Sequence, residues 1–161
     1  MGFKNYIIRS GNRRVSDQHI KPFFNKIRSQ YDIMFTATNL TSYTNDSLMN
    51  RLFGLSFFSF FKIHTAYFGW RSSGSNIEIF ACYKHKRISL MTLDVNEVYT
   101  LTLKKMNNCF TFSIFNNKNV FLCYYKLTTP PLGMFGFEQF IKLADTHGAA
   151  CDMHFIMRRK Y

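Results

Sequence analysis

The residues of this sequence that could hydrolyse a glycosidic bond are its carboxylates, and they are few. Such hydrolysis uses two carboxyl groups that face each other across the bond. On one strand such a pair stands at alternating positions, which point the same way. The chain has 9 Asp and Glu among 161 residues, and none stand at that spacing. Glu78 lies between Ile77 and Ile79, while Asp94 and Glu97 fall in a predicted turn. The sequence therefore argues against a glycosidase.

Nucleophilic catalysis also lacks its usual patterns. The chain contains no Gly-x-Ser-x-Gly segment, the turn that presents a catalytic serine. The 4 cysteines form no Cys-x-x-Cys pair and so no zinc pattern. Cys82 and Cys151 each have a histidine three residues later, His85 and His154, a spacing that puts the two side chains on opposite faces of a strand. We predict reduced, structural thiols, no catalytic residues and a protein that is not an enzyme.

An acid and two imidazoles stand close together near the end of the chain, at His147, Asp152 and His154. Asp152 and His154 share a face if the last strand begins there, and His147 can approach from the preceding loop. These residue types bind zinc in many proteins, but they also serve as polar groups that close the edge of a sandwich. The second interpretation is favoured, and we predict neither a metal nor a cofactor.

Aromatic and polar side chains gather around a predicted hairpin at residues 64–85. Sugar-binding proteins stack aromatic rings on the face of a sugar and bond its hydroxyls through neighbouring polar groups. The candidate ligand-binding residues are Tyr67, Trp70, Arg71, Tyr83 and His85. The other interpretation, which is favoured, is that Trp70 packs in the core and Tyr83 lies at its rim.

Basic residues outnumber acids by 21 to 9, which gives a net charge of +12 and predicts attraction to anionic partners. Arg9, Arg13 and Arg14 are the candidates for binding a partner with an acidic surface. Nucleic acid is less favoured as a partner, because the basic residues are scattered through turns and the phenylalanines alternate into the expected core, where bases cannot stack.

The scaffold that positions these residues is predicted to consist of β-strands. The 19 Phe and 9 Tyr favour pleated, half-buried surfaces. From residue 32 onward, apolar and polar residues alternate in about eight or nine short segments, with turn sequences about every ten residues. Long helical patterns are absent from this part. We predict an all-β fold, a single antiparallel β-sandwich or jelly roll over residues 32–161.

Residues 1–31 differ from the rest, since they are strongly basic and contain Asp17 as their single acid. They are predicted to form a basic arm or a short helix. Asp17 would cap this helix, which would carry Ile20, Phe23, Phe24 and Ile27 at helical spacing. The segment either packs over one end of the sandwich or reaches a partner.

Targeting signals are not recognised in the sequence. No apolar segment follows the basic start of the chain as an export signal requires. The apolar run at residues 52–61 is too short to span a bilayer. Met1 and Gly2 begin like a myristoylation signal, but Tyr6 stands where Ser or Thr is needed. We therefore expect no secretory signal and no membrane partner.

Six segments occur in a recognisable order along the chain. They are Arg-Leu-Phe-Gly-Leu-Ser-Phe at 51–57, His-Thr-Ala-Tyr-Phe-Gly-Trp-Arg at 64–71, Asn-Ile-Glu-Ile at 76–79, Tyr-Thr-Leu at 99–101, Gly-Met-Phe-Gly at 133–136, and the region 147–154. This order resembles a group of uncharacterised concanavalin A-like β-sandwich proteins of Bacteroides-type bacteria and their phages. Members of that group end in a glycine-rich turn, a Pro-His-Asp triplet and a final strand. Here Asp152 matches, and Cys151 stands in place of the histidine.

The resemblance implies a jelly roll over roughly residues 32–158 and a role in phage particles. The first expectation is a non-enzymatic virion-associated structural or decoration protein, whose basic N-terminal segment holds an acidic neighbouring subunit. The second is a carbohydrate-binding, lectin-like module, and the third is a nucleic-acid-binding protein. The expected location is the virion or the host cytoplasm.

Overall fold

Two antiparallel sheets face each other in this computed structural model, which describes residues 2–15, 21–25, 27–41, 49–59, 62–144 and 149–160. The first sheet contains, in spatial order, β1 (Lys4–Ile8), β12 (Met153–Arg159), β3 (Arg28–Phe35), β8 (Val98–Met106), β9 (Cys109–Asn116) and β10 (Phe121–Thr128). The second contains β2 (Lys21–Phe24), β11 (Phe135–Gln139), β4 (Asn50–Ser59), β5 (Lys62–Ser73), β6 (Asn76–Tyr83) and β7 (Lys86–Asp94). A short 3₁₀ helix, Ala37–Thr41, follows β3. The predicted fold class, an all-β antiparallel sandwich, is confirmed.

The core lies between the sheets and is rich in aromatic rings. Successive residues of a strand point to opposite faces, so in β5 the buried Ala66, Phe68 and Trp70 alternate with the less buried Thr65 and Tyr67. Ring pairs join the two sheets, as the Phe68 centroid lies 5.0 Å from that of the first sheet's Phe112. Trp70 similarly lies 5.7 Å from Phe35 and 5.5 Å from Phe155. The aromatic composition thus fills the space between two pleated surfaces.

The predicted N-terminal helix is wrong where the structure describes that region. Phe23 and Phe24 lie in β2, which pairs with β11, and Ile27 is exposed in the link to β3. Pro22 suits this position because β2 is an edge strand, where a missing N–H need not break a ladder. Asp17 and Ile20 lie outside the described residues. The boundary expected after residue 31 falls inside β3, and β1 pairs with β12.

Other differences from the prediction have local causes. The alternation of apolar and polar residues continues through residue 38, but β3 ends at Phe35. There the Asn39 side-chain oxygen accepts a hydrogen bond of 2.7 Å from the Thr36 N–H and starts a turn. Alternation does not identify β4 because the strand has buried residues on both of its sides. Leu55 is buried on the core side, and Gly54 and Ser56 are buried on the other.

Within the described residues, no helix combines the length and the apolar character that crossing a membrane requires.

Candidate functional site

A group of polar side chains lies on the outer face of the second sheet, on its central strands. We call it the polar floor, and it consists of Arg51, Ser56, Thr65, Tyr67 and Gln139. The register places them together, because Ser56 of β4 is opposite Thr65 of β5 and Gly54 is opposite both Tyr67 and Gln139. Directly opposed residues on neighbouring strands project to the same side of the sheet.

Hydrogen bonds hold the polar floor in one arrangement. Arg51 Nη1 donates to Gln139 Oε1. Gln139 Nε2 donates to Ser56 Oγ at 2.8 Å, and Ser56 Oγ lies 2.7 Å from Thr65 Oγ1. The Arg51 guanidinium carbon lies 4.9 Å from the Tyr67 ring centroid. Amide, hydroxyl and guanidinium groups are therefore presented by side chains that restrain one another.

Two glycines leave room for their neighbours in the polar floor. A Cβ on Gly54 would lie 2.6 Å from both the Ala66 oxygen and the Tyr67 Cβ. A Cβ on Gly69 would lie 2.6 Å from Met49 Cγ and 2.8 Å from Cys82 Sγ. The Tyr67 hydroxyl and the Cys82 thiol interact through a hydrogen bond, and burial raises the pKa of Cys82 to about 11. That thiol stays protonated near neutral pH and is a poor nucleophile.

An ion pair borders the polar floor on the β6 side. Arg71 Nε donates to Glu78 Oε2 at 2.7 Å, and Ser89 Oγ donates to Glu78 Oε1 at 2.7 Å. Both oxygens of this carboxylate thus already accept hydrogen bonds from the protein. Another described carboxylate of this sheet, Asp94, stands at the end of β7.

Three basic residues form a row beside the polar floor, and we call it the cation row: Arg14, Lys142 and Arg51. Lys142 pairs with Arg14 on one side and with Arg51 on the other, and the Arg51 N–H donates to the Lys142 oxygen at 2.8 Å. Burial lowers the pKa of Lys142, and the charges of Arg14, Arg13 and Arg51 lower it further. Burial also lowers the pKa of Arg51. The row is therefore a site of concentrated positive charge.

Exposed aromatic side chains lie on the same outer face, at the opposite end of β4. We call Phe24, Phe58 and Phe135 the phenylalanine patch, and their exposed fractions are 69%, 42% and 54%. The Phe58 and Phe135 centroids are 6.2 Å apart, and Phe135 pairs with Phe24 across β11 and β2. Single exposed apolar residues are ordinary, whereas a contiguous group on a sheet face is typical of a binding surface.

The structure separates the predicted ligand-binding residues. Tyr67 and Arg71 lie on the outer face, and His85 is exposed in the turn between β6 and β7. Trp70 is 0% exposed and Tyr83 5% exposed, so neither is available to stack on a sugar. Trp70 is three positions from Tyr67 and therefore points to the opposite face, into the core. Tyr83 also points inward, and its hydroxyl lies 2.6 Å from His64 Nδ1.

The predicted partner-binding arginines do not form one patch. Arg9 lies 3.6 Å from Asp152 in an exposed ion pair. Arg13 donates from Nη2 to the Ala144 oxygen at 3.2 Å. Arg14 is exposed and belongs to the cation row. Binding of an acidic partner by these residues stays a prediction.

The residues considered as metal ligands bind the first strand and the segment after it. Asp152 Oδ1 accepts a hydrogen bond of 2.8 Å from the Ser10 N–H, and His154 Nδ1 lies 3.1 Å from Asn5 Nδ2. His147 lies outside the described residues. In the part of the chain that the structure describes, no cluster of three His, Cys, Asp or Glu could hold a metal ion. All the cysteines are free thiols.

Sequence reasoning missed most of this face. Arg51 is far along the chain from Gln139 and Lys142, and it meets them only through strand pairing. The available signal was in β4, where Arg51, Gly54 and Ser56 interrupt an otherwise apolar run on one side of the strand.

Comparisons with known proteins identify the fold alone. No protein-family model matches the sequence, and no curated protein is significantly similar to it. A functionally unknown protein from Saccharomyces cerevisiae superposes with a TM-score of 0.56 at 9% identity, over 97% of this chain and 84% of that one. The alginate lyase from Klebsiella pneumoniae superposes with a TM-score of 0.55 at 6% identity, over 83% of this chain and 57% of the lyase. The carbohydrate-binding module CBM66 from Bacillus subtilis matches with a TM-score of 0.40 at 10% identity, over 98% of this chain and 92% of the module.

Proposed function

We propose that this protein is a non-enzymatic, lectin-like module that binds a glycan along the outer face of its second sheet. The observation that carries the proposal is the combination on one face of the hydrogen-bonded polar floor with the phenylalanine patch. Carbohydrate sites combine apolar ring contacts with a few fixed polar groups.

The chemistry of the face suits a sugar chain. The phenylalanine patch offers ring surface to the C–H face of a sugar, and the polar floor offers donors and acceptors to its hydroxyls. Because the side chains of the polar floor already restrain one another, little rotamer freedom would be lost when a ligand is bound. Thr65 and Gln139 are only partly buried and so remain within reach of a ligand.

The hydrogen bonds that a carboxylate on this sheet already accepts support binding without catalysis. An acid–base pair needs two carboxyl groups free to exchange protons with the substrate. Both oxygens of Glu78 are occupied by Arg71 and Ser89. The face thus offers groups that orient a ligand and lacks a described pair of unoccupied carboxylates.

A glycan array followed by calorimetry on the best binder tests the proposal. The double variant Phe58→Ala/Phe135→Ala should bind about tenfold or more weakly, because stacking by aromatic side chains contributes about 1 kcal/mol or more per ring. The matched control is Phe121→Ala, which removes an exposed phenylalanine from β10 of the other sheet. Equal affinity of the double variant and the wild type would contradict the proposal.

A second candidate is a structural subunit of a phage particle, which the resemblance to concanavalin A-like proteins of Bacteroides-type bacteria and their phages implies. The observation that favours it is the edge of the first sheet, where β10 and the residue before it expose Val120, Phe121, Leu122 and Tyr124. An edge strand with exposed apolar side chains is able to pair with another chain.

Mass spectrometry of density-purified particles tests this second candidate. A fixed ratio to the major shell protein, lost in a Phe121→Lys/Tyr124→Lys variant, would support it. Absence of the wild-type protein from the particles would exclude it.

A further inference from the structure

The cation row places three like charges side by side without a compensating acid in the described part of the chain. Lys142 stands between Arg14 and Arg51 on adjacent segments, where paired Cβ atoms are about 5 Å apart. Like charges in this position repel and destabilise a sheet. Pairs of like charges are often found at functional sites.

The described carboxylates all lie in other places. Two of them, Asp32 and Glu138, are buried in bonds with the basic end of β12. Glu78 is bonded to Arg71, and Asp152 lies beside Arg9. Asp94 and Glu97 lie at or beyond the end of β7, next to the turn that leads to β8. The charge of the cation row is therefore not balanced by any of them.

Within the part of the chain that the structure describes, the donors of the cation row are also largely unused. Among the described residues, the Lys142 ammonium and the Arg14 guanidinium make no hydrogen bond or ion pair, whereas Arg51 donates through Nη1 to Gln139. Arg51 is thus shared between the cation row and the polar floor. A ligand that lies on the floor would present its nearest substituent to these cations.

We infer that the glycan of the proposed function is acidic, and that Arg14, Lys142 and Arg51 bind its carboxylate or sulfate group. This inference rests on the proposed function and names the class of ligand. Arginine and lysine form charge-assisted hydrogen bonds with such oxyanions. In this arrangement the polar floor contacts the hydroxyls, the phenylalanine patch contacts a ring face, and the cation row contacts the charged substituent.

The geometry favours a glycan over a nucleic acid. Proteins that bind single-stranded nucleic acid use a positively charged groove that follows the backbone, with aromatic side chains beside it. Here the cations occupy one end of the face and the phenylalanines the other. Arg51 and Phe58 lie opposite Gly69 and Ile63 of β5. These two residues are about 20 Å apart along the strand at about 3.3 Å per residue. This separation suits an oligomer with a charged group at one position.

The first step of the test is an array that carries glycans with uronate, sialic acid or sulfate groups beside neutral glycans. The best acidic binder is then compared with its methyl-esterified or desulfated form by calorimetry. The wild-type protein should bind the acidic form at least about tenfold more tightly, since a hydrogen bond to a charged group is among the strong ones. Raising the salt concentration from about 0.05 M to 0.5 M should reduce this preference.

Two double variants distinguish the effect of the cation row on binding from the effect of the protein's net charge. Arg14→Gln/Lys142→Gln should lose the preference for the acidic form and keep its affinity for the neutral form. The matched control, Lys118→Gln/Lys126→Gln, removes the same charge from exposed positions at the β9–β10 end of the first sheet and should retain the preference. Thermal unfolding shows that each variant is folded. Loss of preference in the control as well would overturn the inference, because net charge would then explain it.

The remaining outcomes distinguish the two proposals. If the wild type binds acidic and neutral forms equally, and Phe58→Ala/Phe135→Ala weakens both, the inference fails while the proposed function holds. If a thymidine oligonucleotide binds through the cation row and no glycan does, the proposed function fails as well. Absence of binding to every acidic glycan on the array also overturns the inference.

Discussion

The outer faces of the two sheets carry basic residues in opposite electrostatic settings. On the first sheet, Asp32 accepts hydrogen bonds from Arg158 Nε at 2.9 Å and from Thr100 Oγ1 at 2.6 Å, and Lys160 Nζ lies 3.0 Å from it. On the second sheet, none of the described carboxylates forms an ion pair with the cation row. Among the described residues, carboxylates therefore neutralise positive charge on the first of these faces and not on the second.

This difference separates charge that stabilises the fold from charge that opposes it. Burial alone would raise the pKa of Asp32, but the hydrogen bonds from Thr100, Arg158 and Lys160 outweigh it and hold the pKa below its usual range. On the second sheet, the mutual repulsion of Arg14, Lys142 and Arg51 opposes folding. A protein with a net charge of +12 thus concentrates part of its excess on one face.

The largest effect should come from the core that both faces share. Trp70→Ala removes a ring packed between Phe35 and Phe155 and should lower the free energy of unfolding by about 3–5 kcal/mol. Denaturant unfolding measures the change. Tyr124→Ala on exposed β10 is the control and should change stability by less than about 0.5 kcal/mol. A small effect of the core substitution would mean that the two sheets do not share one core.

How far the sequence predicts this molecule depends on the range of the interactions involved. The strands β5 to β10 follow from alternation and turn residues, which are local properties. The N-terminal region was misassigned because the helical spacing of Phe23, Phe24 and Ile27 also fits a short edge strand, and β2 exists only through its pairing with β11. Tertiary pairing overrides local spacing in such short segments.

The candidate site was less predictable than the fold for the same reason. Tyr67 and Arg71 could be identified because one strand carries both, and alternation settles which way they point. Gln139 and Lys142 are brought to Arg51 by pairing between segments that are about ninety residues apart in the chain. For Trp70 the sequence allowed both a ligand contact, which residue type suggests, and a core position, which alternation suggests, and the structure places it in the core.

The second-largest effect should come from the outer face of the first sheet, where Asp32 neutralises basic residues. It is a loss of stability that depends on pH. Asp32→Asn removes the charge that Arg158 and Lys160 face, and at pH 7 it should lower the free energy of unfolding by about 2 kcal/mol. Because the folded-state pKa of Asp32 lies below its ordinary value of 3.8, its contribution is fully present above that value. It is lost as the pH falls through the folded pKa, since the unfolded chain then binds the extra proton.

Urea unfolding from pH 7 to pH 2 measures this dependence. The wild type and Asp32→Asn should differ most at neutral pH and converge at the acidic end. Asp152→Asn is the control, because its carboxylate is exposed beside Arg9 and surface ion pairs contribute little. A difference between the wild type and Asp32→Asn that does not change with pH would show that the carboxylate is not what stabilises this face.

The smallest effect gives the sharpest contrast, because one kind of substitution should act in opposite directions on the two faces. Lys142→Gln relieves repulsion in the cation row and should raise the free energy of unfolding by about 0.5 kcal/mol. Arg158→Gln removes a partner of Asp32 and should lower the free energy of unfolding by about 1 kcal/mol.

Thermal unfolding at low salt measures both changes. At about 1 M salt the gain from Lys142→Gln should disappear, since exposed charges are then screened. Stabilisation by removal of this charge is the result that uncompensated repulsion within the cation row predicts. Destabilisation by Lys142→Gln would show instead that the row is compensated within the protein, and the two faces would then be electrostatically alike.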